Sequence, residues 1–473
     1  MKRVKTTIIW LLAVLITNAA VATVRYVPDD YPTIQAAVNA CNNSDVVVVE
    51  PGIYTGSGNR DITLNGKAIT VRSIDPADPN VVNSTVIDCE GQGRGFAFYF
   101  AEGADSTVSG LTITNGYAFL GAGIYCYNNS SPTITNCAIT ANSAVFGGAI
   151  ACANSNTRPK ISNCKLTANS ALFGGGAIYC NGASPEIRNC VIIGNSSLYG
   201  GAIYSHNVGY PVIANCTISA NAASVSAGGI YCYKSSVMTV SNSIIWGNTA
   251  PYASQILVGN SGGGTSIDIS YCDIENPDEN VVQEPGCTIN WGEGNIDADP
   301  QFATTAYLTS TSSFGGSYHL PEESPCIDAG DPTFVAGAGE TDIDGEPRIS
   351  GAGIDIGADE LVTAIPAEVN ITPKTLNLAS KGNWITCIIR LPDGYDVADV
   401  NPDTIMLNEE VDRVWCKINQ QAQTILVKFD RSETQDMLNG VTENPVDLSV
   451  TGQLIDGTLF QGSDTITIVN EED

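Results

Sequence analysis

The stretch GGGAIYCNGASPEIRNCVIIGNSS, residues 174–197, returns with small changes before and after itself along the chain. Aligned on the dipeptide Asn-Cys and its last variant, Asn-Ser, the copies follow one another at steps of 26 or 27 residues. A period of this length indicates a solenoid, in which each repeat buries its apolar side against its neighbours.

Each repeat contains three short β-like pieces, which in the copy quoted above are GGAIYC, SPEI and CVII. Gly, Asn, Ser and Pro separate them, and none is long enough to be a helix. One strand on each of three sides predicts an all-β fold, a three-sided right-handed parallel β-helix whose coils stack about 4.8 Å apart.

Asparagines recur in two columns of the repeat. Asparagine tolerates the left-handed backbone conformation that a sharp bend needs, and stacked asparagines can hydrogen-bond from coil to coil. We therefore interpret both columns as structural. The first column is Asn136, Asn163, Asn189, Asn215 and Asn242, and the second is Asn115, Asn142, Asn169, Asn195, Asn221 and Asn248.

Cysteines follow the same period. In GGAIYC, Ile and Cys share one face of a strand and Tyr points to the other, so an inward Ile implies an inward Cys. Buried free cysteine packs as a small hydrophobe, although some coil-to-coil disulfides remain an alternative. The ladder thiols are Cys126, Cys152, Cys180 and Cys232, with Cys137, Cys164, Cys190 and Cys216 in a second position.

The chain begins with the parts of a secretory signal, predicted over residues 1–22, with basic residues, a short apolar run and a small-residue cleavage site. We expect a secreted or cell-surface protein that does not span a membrane. The formal net charge is −29. Such an acidic chain should repel nucleic acid.

The repeat pattern ends before residue 363. We place the solenoid and an acidic closing segment in residues 23–362. Alternating strands with turn signals then predict an immunoglobulin-like β-sandwich over residues 363–473. Cys387 and Cys416 are candidates for a bridge within it.

YVPDDYPTIQAAVNACNNSDVVVVEPGIYTG, residues 26–56, resembles the opening of the pectin-lyase-like superfamily. Its helix, starting at Thr33, would plug the open end of the solenoid. The coils are also similar to the Gly-Gly-Ala-Ile repeats of bacterial polymorphic outer-membrane proteins, but Ile or Leu stands where those have Phe. Residues 297–360 are similar to the closing segment of secreted bacterial β-helix proteins. The resemblance implies a fold, and that fold serves lyases, hydrolases, esterases, adhesins and spacers.

Enzymes of the resembled superfamily place acidic residues, with an Arg or Lys base in lyases, on the strand corresponding to GGAIYC. Residues 106–267 hold a single carboxylate, Glu186. The best lyase constellation is Lys160, Glu186 and Arg188, with Arg188 as base. Lys160 and Glu186 lie 26 residues apart, however, so an ordinary surface ion pair explains them. We interpret His206 as a solvated residue in a turn.

Tyrosines occupy the outward column of the GGAIYC strand. Stacked at coil spacing, they would form a flat strip suited to sugar rings, although outward Tyr also simply suits a strand surface. The members are Tyr125, Tyr179, Tyr204 and Tyr231, interrupted by Ala151.

The closing segment carries Asp342, Asp344 and Glu346 around a glycine, a spacing of oxygen ligands that suits calcium. No cofactor is required by the sequence, and calcium is the one predicted ion. We expect a monomeric extracellular module that binds polysaccharide or cell-surface components, is adhesin-like, or is purely structural. The alternative is a polysaccharide lyase or a related carbohydrate-active enzyme.

Overall fold

The fold is described by a computed structural model that covers residues 22–260, 263–303, 318–337, 339–362, 364–392, 394–408, 410–441, 444–455 and 458–469. The predicted signal peptide, except for residue 22, lies outside the described residues. Residues 24–291 wind into a parallel β-helix, and residues 365–469 form a separate sheet-rich domain. The predicted fold class, a parallel β-helix followed by a sandwich-like domain, is confirmed.

Four parallel sheets form the sides of the solenoid. Sheet 1 contains Val24–Val27, Val46–Val49, Thr70–Ser73, Thr107–Ser109, Thr133–Thr135, Lys160–Ser162, Glu186–Arg188, Val212–Ala214, Val237–Ser241, Ser266–Ser270 and Thr288–Trp291. Sheet 2 contains Gly52–Tyr54, Thr85–Asp88, Thr112–Thr114, Ala138–Thr140, Lys165–Thr167, Val191–Ile193, Thr217–Ser219, Ile244–Trp246 and Asp273–Ile274.

The other two sheets lie between sheet 2 and the next pass through sheet 1. Sheet 3 contains Tyr117–Leu120, Ser143–Phe146, Ser170–Gly174, Ser196–Tyr199 and Ala222–Ser226. Sheet 4 contains Phe96–Phe98, Ile124–Cys126, Ile150–Ala153, Ile178–Asn181, Ile203–His206, Ile230–Tyr233, Ile256–Gly259 and Val281–Gln283. Sheet 3 is an addition to the three predicted sides. It was not predicted, because its Ser-rich and aromatic sequence does not alternate clearly between apolar and polar residues.

Successive coils stack in register, so that equivalent residues of the repeat face one another. In sheet 4, Ile150 pairs with Ile124 on one side and with Ile178 on the other. These side chains are fully buried and continue the interior column through Ile203 and Ile230. The apolar interior is therefore one continuous core that runs the length of the solenoid.

The first asparagine column lies at the bend between sheets 1 and 2, as predicted. All five residues have a left-handed backbone, with φ between 46° and 53°. Asn215 donates from Nδ2 to Oδ1 of Asn189 at 3.0 Å, which links two coils. Asn163 and Asn189 instead donate to the closing segment, at the carbonyl oxygens of Asp342 and Thr341.

The second column is a buried ladder between sheets 2 and 3. Asn195 is fully buried and donates from Nδ2 to Oδ1 of Asn221 at 2.9 Å and to the Leu166 carbonyl at 2.9 Å. Its Oδ1 accepts from both the backbone and the side-chain nitrogen of Asn169. Asn115 is not part of this ladder, because Gly116 takes the equivalent place and donates its backbone N–H to Asn142.

The cysteines are unpaired throughout the described residues. The eight ladder thiols are buried, none more than 2% exposed, and face inward with the isoleucines. The alternative of coil-to-coil disulfides is therefore not what the structure contains. The described residues contain no helix long and apolar enough to cross a membrane.

Helices lie at the edges of the solenoid. The predicted cap is present as the helix Ile34–Ala40, whose Thr33 hydroxyl accepts from the Ala36 backbone N–H. Its buried residues, including Ile34 and Val38, pack into the core at the first coil. Two further short helices are Pro79–Ser84 and Pro277–Asn280.

Part of the predicted closing segment, residues 304–317, lies outside the described residues. Residues 318–337 and 339–362 lie along the side of the solenoid on sheet 2 and the bend next to it. Ile343 and Ala358 pack on Val191 and Ile193. Within the segment, Arg348 is fully buried, and its guanidinium donates to the Gly357 carbonyl at 2.6 Å and to Glu360 at 3.2 Å. The segment therefore covers the outer side of sheet 2.

The C-terminal domain is a mixed, nine-stranded sheet that closes on its own apolar core. Cys387 and Cys416 lie on strands that flank the same residue, Val427, from opposite sides. Two strand spacings, about 9.6 Å, separate them, which is too far for a disulfide. The elements are Ile365–Pro366, Glu368–Thr372, Thr375–Asn377, Trp384–Arg390, the 3₁₀ turn Val397–Asp399, Val400–Leu407, Val411–Asn419, Thr424–Asp430, the helix Arg431–Met437, Val446–Leu454 and Leu459–Val469.

We expect Asn195→Ala to destabilise the solenoid by about 2–4 kcal/mol, because it leaves several buried polar groups without partners. Urea denaturation followed by circular dichroism measures this change. The control is Asn156→Ala, an exposed loop residue whose loss should change the free energy of unfolding by about 0.5 kcal/mol or less. Equal stabilities of the two variants would contradict the structural role of the ladder.

Candidate functional site

The tyrosine column predicted from sequence exists on the outer side of sheet 4. Tyr179 pairs in register with Tyr204, which pairs with Tyr231, and Ala151 separates them from Tyr125. The rings of Tyr204 and Tyr231 are stacked, with centroids 5.1 Å apart and planes 13° from parallel. In-register stacking thus places one ring on each of three successive coils, and the coil of Ala151 separates these from Tyr125.

The column is not an open strip, in contrast to the sequence expectation. Each of the four tyrosines is only 6–9% exposed. Phe146 of sheet 3 stacks on Tyr179 at 4.7 Å, Tyr199 lies 6.1 Å from Tyr231, and the Arg94 guanidinium lies over Tyr125. Side chains from sheet 3, which the repeat pattern did not reveal, therefore cover Tyr179 and Tyr231, and Arg94 covers Tyr125.

A glycine makes this close packing possible. Gly174 ends a strand of sheet 3 directly beside Tyr204, and a Cβ atom at that position would come within 2.1 Å of the ring. The first glycine of the GGGAIYC sequence is therefore required by the tyrosine beneath it. The sequence shows that a glycine stands at this position in the repeat. The reason for it becomes clear only from the structure, which places Gly174 beside Tyr204.

Exposed aromatic side chains lie directly next to the column. Phe119 is 65% exposed and contacts Phe146 edge-on, and Phe173, 45% exposed, stacks on the other side of Phe146 at 5.6 Å. Tyr127 stacks on Tyr125 at 5.8 Å. We call this surface the aromatic strip, and its members are Tyr117, Phe119, Tyr127, Phe146, Phe173, Tyr199 and Tyr233 above the buried column.

The phenol groups of the column are kept neutral by their surroundings. Burial raises the pKa of Tyr125 and of Tyr179 to about 12, and it also raises the pKa of Tyr204 and Tyr231. Neutral phenols at physiological pH can act as hydrogen-bond donors and stacking surfaces but not as anionic bases.

His206 belongs to this surface and is not a solvated turn residue as predicted. It ends a strand of sheet 4, stacks on Tyr233 with centroids 5.7 Å apart, and meets Tyr204 edge-on. Its Nδ1 atom is buried without a hydrogen-bond partner among the described residues. Burial, followed by the charge of Lys234, lowers the pKa of the imidazole.

The three residues of the lyase constellation lie on sheet 1. Lys160 and Glu186 are in-register neighbours, as predicted. The ion pair, however, forms between Glu186 and Arg188 of the same strand, at 2.5 Å, with each side chain more than a third exposed. Alternate residues of a strand share a face, so Arg188 reaches Glu186 without crossing to the neighbouring coil.

The predicted calcium ligands lie in the closing segment, but they do not converge on one point. Asp342 is fully buried, and its carboxylate accepts the backbone N–H groups of Asp344, Glu346 and Glu360. It therefore organises the turn. The carboxylate of Glu346 lies near those of Asp342 and Asp359, and burial and these charges raise its pKa to about 7.

A group that shares Asp344 with the predicted ligands has the geometry of a cation site. His319, Asp344 and Asp359 each offer a ligand atom within 4.8 Å of the others. Asp344 also accepts from Lys165 Nζ at 3.1 Å and from the Tyr318 hydroxyl at 3.0 Å. Burial opposes ionisation of Asp344, but the His319 hydrogen bond and the Lys165 charge outweigh it and lower its pKa to about 2.

A comparison with protein families supports the β-helix. The family model described as "Right handed beta helix region" matches residues 37–192 and 173–298, which together are more than half of the chain. The chain belongs to the right-handed β-helix family. A crystal structure of the pectate lyase Pel9A is similar with a TM-score of 0.41 and 15% identity, over 69% of this chain and 90% of that chain. No curated protein sequence matches the chain.

For Glu186→Gln we expect no change in any elimination or hydrolysis of polysaccharide, because Glu186 is engaged with Arg188 on an exposed strand. The free energy of unfolding should change by about 1 kcal/mol or less, as for other exposed ion pairs. Release of unsaturated and reducing sugars measures activity, with Arg188→Gln as the matched variant. Loss of an activity in a folded Glu186→Gln protein would contradict this assignment.

Calcium binding by the closing segment stays a prediction, and His319, Asp344 and Asp359 suggest zinc as a second ion to test. A bound divalent ion should offset repulsion among the carboxylates and slow proteolysis of residues 318–362. We expect Asp344→Asn to remove this protection, whereas Glu323→Gln, exposed in the same segment, should keep it. Identical proteolysis rates of wild-type protein with and without either ion would refute the site.

Proposed function

We propose that this protein is an extracellular carbohydrate-binding module whose solenoid recognises a polysaccharide through the aromatic strip. The observation that carries the proposal is the set of exposed rings held by the buried tyrosines. Tyr127 stacks on Tyr125, whereas Phe119 and Phe173 both contact Phe146, which stacks on Tyr179. A contiguous patch of exposed apolar side chains on a folded protein commonly marks a binding site.

The chemistry of the strip suits sugar rings. Pyranose faces are apolar and their edges carry hydroxyls, so flat aromatic side chains with nearby phenol groups complement both parts. In this proposal the buried tyrosines of the column support the exposed rings from below and contact the sugar through their ring edges. They are Tyr125, Tyr179, Tyr204 and Tyr231. Preorganisation by stacking lowers the entropy lost when the ligand binds.

The proposal includes the adhesin-like and cell-surface roles, because each needs only recognition of a glycan. A purely structural spacer would leave the aromatic strip without a use. The polysaccharide lyase remains the alternative, and it requires a cation and a base beside the bound sugar. The constellation of Lys160, Glu186 and Arg188 on sheet 1 offers one carboxylate, which is already paired.

The test is titration of oligosaccharides against the wild type and against Phe119→Ala/Phe173→Ala by calorimetry or NMR. Loss of two stacking rings should weaken binding roughly 5- to 150-fold, from about 0.5–1.5 kcal/mol for each ring. The control is Tyr210→Ala, which removes a 55% exposed aromatic ring outside the strip and should leave affinity unchanged.

Equal affinities of the wild type and the double variant would overturn the proposal for this surface. A parallel screen for unsaturated sugar products distinguishes the alternative. Product formation by the wild type would favour the lyase over a pure binding module.

A further inference from the structure

The C-terminal domain presents a second aromatic surface, distinct from the solenoid. Three antiparallel strands, Trp384–Arg390, Thr424–Asp430 and Val411–Asn419, lie side by side in that order. Thr386 pairs with Lys428, which in turn pairs with Trp415. We call the outward side of these strands the tryptophan face, and its members are Trp384, Thr386, Ile388, Trp415, Lys417, Leu426 and Lys428.

The apolar residues of this face are not needed for the core. The alternating residues of the same strands, including Ile385, Val427 and Phe429, are buried and fill the interior of the domain. Trp384 and Trp415 are nonetheless 39% and 42% exposed. Two large indole rings on the solvent side of a sheet are an exposed apolar patch that folding does not explain.

A lysine lies between the two indoles. The Lys428 ammonium is 5.2 Å from the ring centroid of Trp415 and 5.9 Å from that of Trp384. Cation–π attraction of this kind holds the ammonium in place above the sheet. The face therefore presents a fixed positive charge flanked by two flat apolar rings.

The charge of the face contrasts with that of the domain around it. Residues 363–473 carry eighteen carboxylate and seven cationic side chains. On the face, Lys417 and Lys428 are cationic, whereas the carboxylate of Asp430 accepts the backbone N–H groups at the start of the helix Arg431–Met437. At the margin, Arg390 pairs with Glu368 at 3.4 Å. A local positive site on an acidic domain selects for an anionic partner.

We propose that the tryptophan face binds an anionic polysaccharide. Two of its sugar rings would stack on Trp384 and Trp415, and a carboxylate or sulfate between them would pair with Lys428. Lys417, one row further along the sheet opposite Leu426, extends the site toward a second anionic group. This site is independent of the aromatic strip and gives the chain a second point of attachment to a glycan.

The experiment uses the full chain with three probes: carboxylated alginate oligosaccharide, dextran sulfate and neutral dextran. We compare the wild type, Trp384→Ala/Trp415→Ala, and Lys428→Met, which keeps an unbranched side chain of similar length without its charge. The tryptophan variant should weaken binding of an anionic probe roughly tenfold or more. Added salt should weaken wild-type binding, and much less that of Lys428→Met.

Two controls separate this site from the solenoid and from general loss of an indole. Trp291→Ala removes a 48% exposed tryptophan on the last coil and should bind as the wild type does. In the Phe119→Ala/Phe173→Ala background, which removes the two rings of the aromatic strip, Trp384→Ala/Trp415→Ala should still weaken binding of the anionic probe. Carboxylated and sulfated probes identify which anion is preferred, and either one supports the proposal.

Four outcomes would overturn it. They are equal anionic binding by the wild type and the tryptophan variant, binding of neutral dextran that equals the binding of both anionic probes, and no binding of either anionic probe. The fourth is a dimer of the wild type that Trp384→Ala/Trp415→Ala converts to monomer in sedimentation, because the face would then be a self-association surface. Circular dichroism of each variant verifies folding.

Discussion

Stacking of coils in register is the constraint on which the solenoid depends. A single coil has too few residues to bury its apolar side, so each strand completes its hydrogen bonds and its packing only on the coils above and below. A residue type suited to one place in the coil is consequently selected again at the same place in the next. The interior isoleucines, the bend asparagines and the outward tyrosines are three columns produced by this one rule.

The buried asparagine ladder shows how the rule handles polar groups. The turn between sheets 2 and 3 brings backbone N–H and carbonyl groups into the interior, where water cannot reach them. Asn169 and Asn195 satisfy those groups on their own coil and on the neighbours at the same time. Such a ladder rigidifies the wall that carries sheet 3, and so it fixes the position of the aromatic side chains there.

Much of the solenoid could be predicted from sequence, because the period, the parity of Ile and Cys, and the left-handed asparagines are properties of single repeats. What the sequence did not reveal depends on contacts between distant segments. Sheet 3 covers the tyrosine column, and His206 packs on Tyr233, because of side-chain shape and not periodicity. Asn115 kept the spacing yet missed the ladder by one residue, since spacing alone does not define which residue faces inward. His319 and Asp359 are forty residues apart in sequence, so their grouping with Asp344 depends on how the intervening chain folds back.

Each coil contributes one position to each column. Insertion or deletion of a whole coil therefore preserves the alignment of the columns. Inserting or deleting a few residues inside a strand would shift every column by a fraction of a turn. Duplicating a complete repeat of 26 or 27 residues would leave all columns aligned and lengthen the aromatic strip by one rung. The number of repeats therefore sets the length of the solenoid. Gain or loss of repeats would change that length and the number of aromatic side chains available to a ligand at the same time.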